Sequence, residues 1–568
     1  MSSQKTAKRP WSSEDGMIKK VKIDFWVITT LILLGLYLLF MVYPLYKVVN
    51  QSVIDEETGR LTLRYFIKFF GQAYYSRTLL NSFKVATATC TISLILGVPL
   101  AYLYNMYEIK GRKLLQMLII LSSMSAPFIG AYAWVKLLGR AGVITVAIKA
   151  VTGITIPNIY GFNGILLVLS LKLFPLVFLY VSSAMKNLDN SLLEASVNMG
   201  VSGMKRFLTV VLPLCMPSIL AAVLMVFMRA IADFGTPLMI GEGYTTFPVI
   251  IYNEYVGEVG TNHHFAAAIA VIAILITMLF FFVQRYLTNR NRFSMSAMNH
   301  VERKKSKPFA SFFIHLYGYG LVAIALLPQV YLIYLSFRKT NPGGEVFQKG
   351  FSLDSYYHIF DRMGSAIWNT IRICGSALVL IIFLAILISY LTVRRRNFLN
   401  ATIDTLSMVP YVIPGSVVGI ALILAFNNRY IPLVGTATII IVAMCIRRIP
   451  YTIRSSVAIL SQIPLSIDEA AESLGAGKFK TLVKVTVPMM FNGIFAGAIM
   501  SWVTLITELS SSLLLYSFRT KTLNIAVYQA VGNGTDGRAS ALAAIVTVFT
   551  VLSLVLFNKI SKDGEIMM

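Results

Sequence analysis

Acidic residues are scarce in this chain of 568 residues: 25 Asp and Glu stand against 50 Lys and Arg, and charged residues of both signs make up only 13%. A chain so poor in charge cannot cover the several water-soluble domains that its length alone would suggest. Cysteine and histidine are scarcer still, at four and five. Cys90, Cys215, Cys374 and Cys445 show no CxxC and no paired spacing, which predicts neither a disulfide framework nor a metal site, and His263 with His264 reads as loop polarity. No H-E-x-x-H or G-x-S-x-G is present. The run Gly475 to Lys478 fails as a phosphate loop, because Glu472 stands where the first glycine belongs and Phe479 replaces the magnesium-binding hydroxyl. The chain is therefore expected to bind no nucleotide or cofactor itself, and to be no enzyme.

What is abundant is apolar: 57% of the residues are hydrophobic. About twenty such residues cross a bilayer as a helix, the form in which every backbone amide is satisfied internally. On that rule spans fall near 25–46, 80–104, 114–136, 161–185, 214–240 and 265–283, and again near 311–335, 371–393, 400–426, 432–456, 489–515 and 539–558. The reading is an all-α polytopic membrane protein with about 12 spans in two six-helix halves. Its parts are a tail 1–24, a first half 25–288, a basic linker 289–308, a second half 309–560 and a tail 561–568. The first apolar run has no small-residue cleavage site after it and reads as a retained span. The net charge of +25 is dispersed over short loops, which points to anchoring on the cytoplasmic side of a lipid bilayer rather than to nucleic acid. Lys8, Arg9, Lys19, Lys20, Lys22, the loop with Lys110, Arg112 and Lys113, and Arg394 to Arg396 all fall inside if both termini are cytoplasmic. Arg60 and Arg64 are external exceptions.

One polar stretch is written twice. Ser191 to Pro213, SLLEASVNMGVSGMKRFLTVVLP, aligns without a gap on Ser466 to Pro488, SIDEAAESLGAGKFKTLVKVTVP, 275 residues on. Ser191 with Glu194 and Ser466 with Glu469 fit the S-x-x-E capping box and predict helix starts there. Gly200 and Gly475 fit left-handed helix ends. At the same offset Lys172 falls on Arg447, Pro175 on Pro450 and Asp233 on Glu508, while Asn81 and Asn369 correspond at a slightly different one. By itself, each glutamate is equally well explained as a surface helix cap.

Glu194-Ala195-Ser196 and Glu469-Ala470-Ala471, each followed after three residues by Gly200 or Gly475 and twelve later by Pro213 or Pro488, resemble the EAA loop of the permease subunits of binding-protein-dependent ABC importers. Ser196 is a mild departure. The resemblance implies a type I importer fold in a bacterial plasma (inner) membrane, with the two loops cytoplasmic and coupled to two copies of a separate ABC ATPase that uses ATP and Mg. It also implies an extracytoplasmic binding protein that hands over the substrate, and alternating access driven by the ATPase.

Charges inside spans are functional candidates by default. Asp233 and Glu508 lie twenty residues past Pro213 and Pro488, about 30 Å of helix, which predicts a place near the outer mouth. They could line the substrate path, or Arg229 could pair with Asp233 four residues away. Lys172 and Arg447 could hold an anion or reach lipid headgroups, with Arg448 and Arg454 making the second half more basic. The fused halves, with IADFGTPLMIGEGYTTFPVIIYNEYVG from Ile231 and LITELSSSLLLYSFRTKTLNIAVYQAVG from Leu505, resemble ferric-iron permeases. Asp233 and Glu508 are suitable oxygen ligands for that ion. Similar permeases carry phosphonates, sugar phosphates, thiamine or polyamines. A secondary transporter driven by an ion gradient would also use repeats and midplane charges, but does not account for the duplicated hairpin.

Overall fold

A computed structural model describes residues 25–124, 126–257, 262–290, 303–395 and 397–560. The tails 1–24 and 561–568, most of the 289–308 linker and Arg396 lie outside the described residues. Helices dominate, as the unbroken apolar runs require. The one departure from all-α among the described residues is a short antiparallel hairpin, β1 (Arg338–Thr340) and β2 (Phe347–Phe351), in a polar loop whose pattern is too short to read from sequence.

Among the described residues nine helices are long and apolar enough to cross a bilayer, and two bent pairs bring the total to eleven, one fewer than expected. The twelfth place is taken by helix Ala437–Leu460, which is long enough but carries Arg447, Arg448 and Arg454. The expected span 400–426 is broken between Phe398–Val412 and Gly415–Phe426, which meet at 114°. Pro414 forces this, because the residue before a proline is pushed out of the helical region, and Ile413 is extended. Likewise 114–136 is interrupted between Ser123 and Pro127, and the spans expected to reach 240 and 515 end at Ile231 and Ile506 before short separate helices.

The repeat is structural as well as textual. Helix Asn190–Asn198 recurs as Leu465–Ser473, and the π-helical turn Phe207–Val211 as Leu482–Thr486, both 275 residues on. Each π turn stands just before a helical proline, where the amide of Leu212 or Val487 donates to the carbonyl five residues back, Phe207 or Leu482.

The first helix of each half also reaches across to the other half. The N-terminal span packs on the second half: Thr30 donates to Asn400 at 2.9 Å, the Trp26 and Tyr390 rings lie 4.6 Å apart, and Phe40 meets Phe426. Helix Pro308–Ser336 packs on the first half, where the Tyr317 hydroxyl donates to the Leu96 carbonyl at 2.9 Å and Gly318 lies against Leu115. A boundary drawn along the sequence therefore does not separate two independent cores.

Candidate functional sites

The duplicated hairpins are the first pair of candidate sites. Neither has the expected capping box, because each helix starts earlier than the serine. In the first, Asp189 is the N-cap and accepts from the Ser191 amide at 3.0 Å, while Glu194 accepts from the Asn190 side chain at 2.7 Å. In the second, Pro464 precedes the helix and Ser466 lies within it. The C-terminal turns are as expected. Gly200 and Gly475 have φ of 78° and 84°. In the first hairpin the Gly200 amide donates to Val197 and that of Val201 to Ser196; in the second the Gly475 amide donates to Glu472 and that of Ala476 to Ala471. This is the Schellman arrangement, in which orphan carbonyls at the helix end are satisfied by a left-handed turn.

Glu194, Ala195, Glu469 and Ala470 are exposed, as are Pro213 and Pro488 at the start of the rising helices. Next to each glycine an apolar side chain also stands in the open, Met199 at 75% and Leu474 at 90% exposure, again 275 residues apart. Exposed apolar groups beside ordered polar ones are the composition of a contact surface.

What lies beneath the two hairpins differs. Under the second, Asp468 is buried, ion-paired with Arg394 at 2.8 Å and accepting from the Thr486 hydroxyl at 2.9 Å. The matching places in the first half hold Leu193, Met106 and Val211, all buried. Sequence reasoning missed Asp468, since its repeat partner is a leucine and the alignment shows no shared charge. Beside the first hairpin the described end of the linker runs parallel to the chain at Tyr107, with the Lys304 amide donating to Met106 at 2.9 Å. Together they enclose a cleft of about 260 Å³ lined by Glu194, Arg206, Arg303 and Lys304 among others. Burial raises the Tyr107 phenol above its ordinary pKa, with Arg206 pulling the other way.

The second site is an ionic layer. Asp233 pairs with Lys172 at 3.2 Å and accepts from the Thr236 amide at 2.9 Å. Glu508 pairs with Arg447 and Arg448 and accepts from the Ser511 amide at 3.1 Å. The repeat therefore preserves a whole unit: a cation on one helix, an acid two residues past the end of another, and a backbone amide three residues after the acid that donates to it. Arg229 does not pair with Asp233. Its helix ends at Ile231, so the two do not share a helix face, and Arg229 instead donates to the Tyr451 hydroxyl at 3.3 Å. Tyr411 and Tyr180 are its other neighbours.

Lys172 and Arg447 sit near the middle of helices Phe162–Lys186 and Ala437–Leu460, and the acids they meet follow the ends of helices Leu212–Ile231 and Phe491–Ile506. In the second half the rising segment turns by 72° at Met490. Asn81 and Asn369 are tie points, donating to the Thr245 carbonyl and to the Arg519 and Lys521 carbonyls respectively.

A family model described as binding-protein-dependent transport system inner membrane component matches twice, over residues 93–293 and 377–563. The chain is 26% identical over 560 residues to the ferric transport system permease protein FbpB of Actinobacillus pleuropneumoniae, covering 97% of this chain and 80% of that protein. It is 24% identical over 544 residues to the Fe(3+)-transport system permease protein FbpB 2 of Haemophilus influenzae, covering 94% and 98%. The spermidine/putrescine transport system permease protein PotB of Haemophilus influenzae is 26% identical over 277 residues, 47% of this chain and 96% of that one.

Proposed function

Because the chain belongs to the family of inner membrane components of binding-protein-dependent transport systems, we propose that it forms the whole membrane pathway of an ATP-driven importer, with ferric iron as cargo. Two copies of a cytoplasmic ABC ATPase, using ATP and Mg, engage the two hairpins, and an extracytoplasmic binding protein delivers the cargo to the opposite face. Both termini are cytoplasmic, in a bacterial plasma membrane. The observation that carries this reading is the hairpin pair, with equal helix lengths, the same turn geometry and an exposed apolar residue at the same place, Met199 in one and Leu474 in the other. The ferric assignment is supported by relatives named as ferric permeases that match nearly the whole chain.

Each hairpin suits force transmission. Its short helix is closed by a fixed turn and continues through the π turn into the membrane helices, so displacement of the exposed face moves those helices rather than bending a loop. Glu194 and Glu469 lie on that face, and the acids of the ionic layer follow the far ends of the rising helices.

Reconstitution of the chain with its ATPase and binding protein in vesicles tests the proposal. Uptake of iron should require ATP and survive collapse of ion gradients by ionophores. Uptake that followed a gradient without ATP would overturn it.

A further inference from the structure

Four cationic side chains meet where the two halves face each other: Lys172 and Arg229 from the first, Arg447 and Arg448 from the second. Arg229 and Arg448 both lie within electrostatic reach of Lys172 and of one another. Two carboxylates answer them, Asp233 and Glu508, so the layer carries an excess of two positive charges. Among the described residues Arg229 has no carboxylate within ion-pair distance, only the hydroxyls of Tyr451 and Tyr411. Uncompensated charge inside a membrane protein is expensive unless something else neutralises it.

The arrangement also has a front and a back. The carboxylates are 7% and 2% exposed, whereas the side chains of Lys172, Arg447 and Arg448 are 18%, 12% and 18% exposed. The accessible surface of the layer is cationic. Glu508 is saturated further by the Ser510 and Ser511 hydroxyls. A bare trivalent cation arriving here would meet ammonium and guanidinium groups, with the acids behind them already engaged. A tetrahedral oxyanion would meet guanidinium forks and phenolic hydroxyls, a donor set that matches it.

We infer that this cationic layer is an anion-binding station that takes a phosphate-type oxyanion, so that cargo passes either as an oxyanion or as a metal ion accompanied by one. The binding step stands on the geometry alone; its place in transport rests on the importer reading above.

The direct test is equilibrium binding of radiolabelled inorganic phosphate to the full-length chain in lipid nanodiscs, without ATPase. Saturable binding is expected, weakened at least tenfold by Arg229→Gln. Arg454→Gln serves as control, since Arg454 lies outside the layer and pairs with Asp404; it should leave binding unchanged. Size-exclusion profiles of both variants separate lost binding from lost folding. No saturable binding by the unaltered chain, or equal binding by a folded Arg229→Gln chain, overturns the station. In the complete importer, iron and phosphate carry separate labels. Uptake of both in fixed ratio supports an accompanied metal ion, and phosphate uptake without iron supports an oxyanion cargo. Iron uptake unchanged when chloride is the sole anion overturns the role in transport. Phosphate binding retained in a chain that supports no ATP-dependent uptake would sink the importer reading and leave the station standing.

Discussion

Replacing Asp468 by leucine should release the second hairpin from the helix beside it. Arg394 would then be left almost fully buried with no counter-charge, and the Thr486 hydroxyl would keep only the Thr481 carbonyl, at 3.4 Å, as acceptor. Removing one partner of a buried ion pair costs about 3–5 kcal/mol, most of it the penalty on the charge left behind. At about 1.4 kcal/mol per tenfold, amides of the hairpin should exchange with solvent faster by roughly two to three and a half orders of magnitude. The first half supplies the control, because it fills the same three places with Met106, Leu193 and Val211. The triple change Arg394→Met, Asp468→Leu and Thr486→Val should therefore restore protection to within about tenfold of the unaltered chain, since well-packed apolar groups replace a buried pair at little net cost. Hydrogen exchange read by mass spectrometry over 465–486 decides the matter. If the single leucine change exchanges no faster than the triple one, the ion pair is not what fixes the hairpin.

Changing Glu194 and Glu469 together to alanine should leave the chain in the membrane and the ATPase active while substrate uptake collapses; full uptake in that double variant would remove the coupling role. Alanine at Gly200 or Gly475 meets no neighbour but must adopt a left-handed backbone, so each should destabilise its hairpin by about 1 kcal/mol, seen as faster local proteolysis. A side chain at Gly415 would collide with the Ser510 hydroxyl and Arg447, so Gly415→Ala should displace that arginine and lower thermal stability by about 1–3 kcal/mol, whereas Gly320→Ala, in open space, should not.

The hairpins were legible because the repeat alignment and glycine chemistry are local. Their lengths and left-handed turns follow from residues a few positions apart, and the correspondence of Asp233 with Glu508 from the constant offset of the repeat. The capping boxes did not hold, since Asp189 and Pro464 start the helices one residue before the serines and a matching spacing cannot show which cap wins. Arg229 was misassigned for a related reason: the spacing of four implies a shared helix face only if the helix continues, and it stops at Ile231. The bend of the second rising segment at Met490 is likewise not revealed by composition. Asp468, Arg394 and the tyrosines around Arg229 were illegible because they are brought together by packing between distant segments.

The reach of the first helix across to the other half has a consequence for how the protein is made. During synthesis the 25–52 segment enters the bilayer when Asn400 and Phe426, against which Thr30 and Phe40 finally rest, are still hundreds of residues from being translated. Helix His263–Arg290 of its own half gives the segment a first packing partner, and the contacts with Asn400 and Phe426 close only later. Assembly of the second half is thus completed on a helix that was the first to be made.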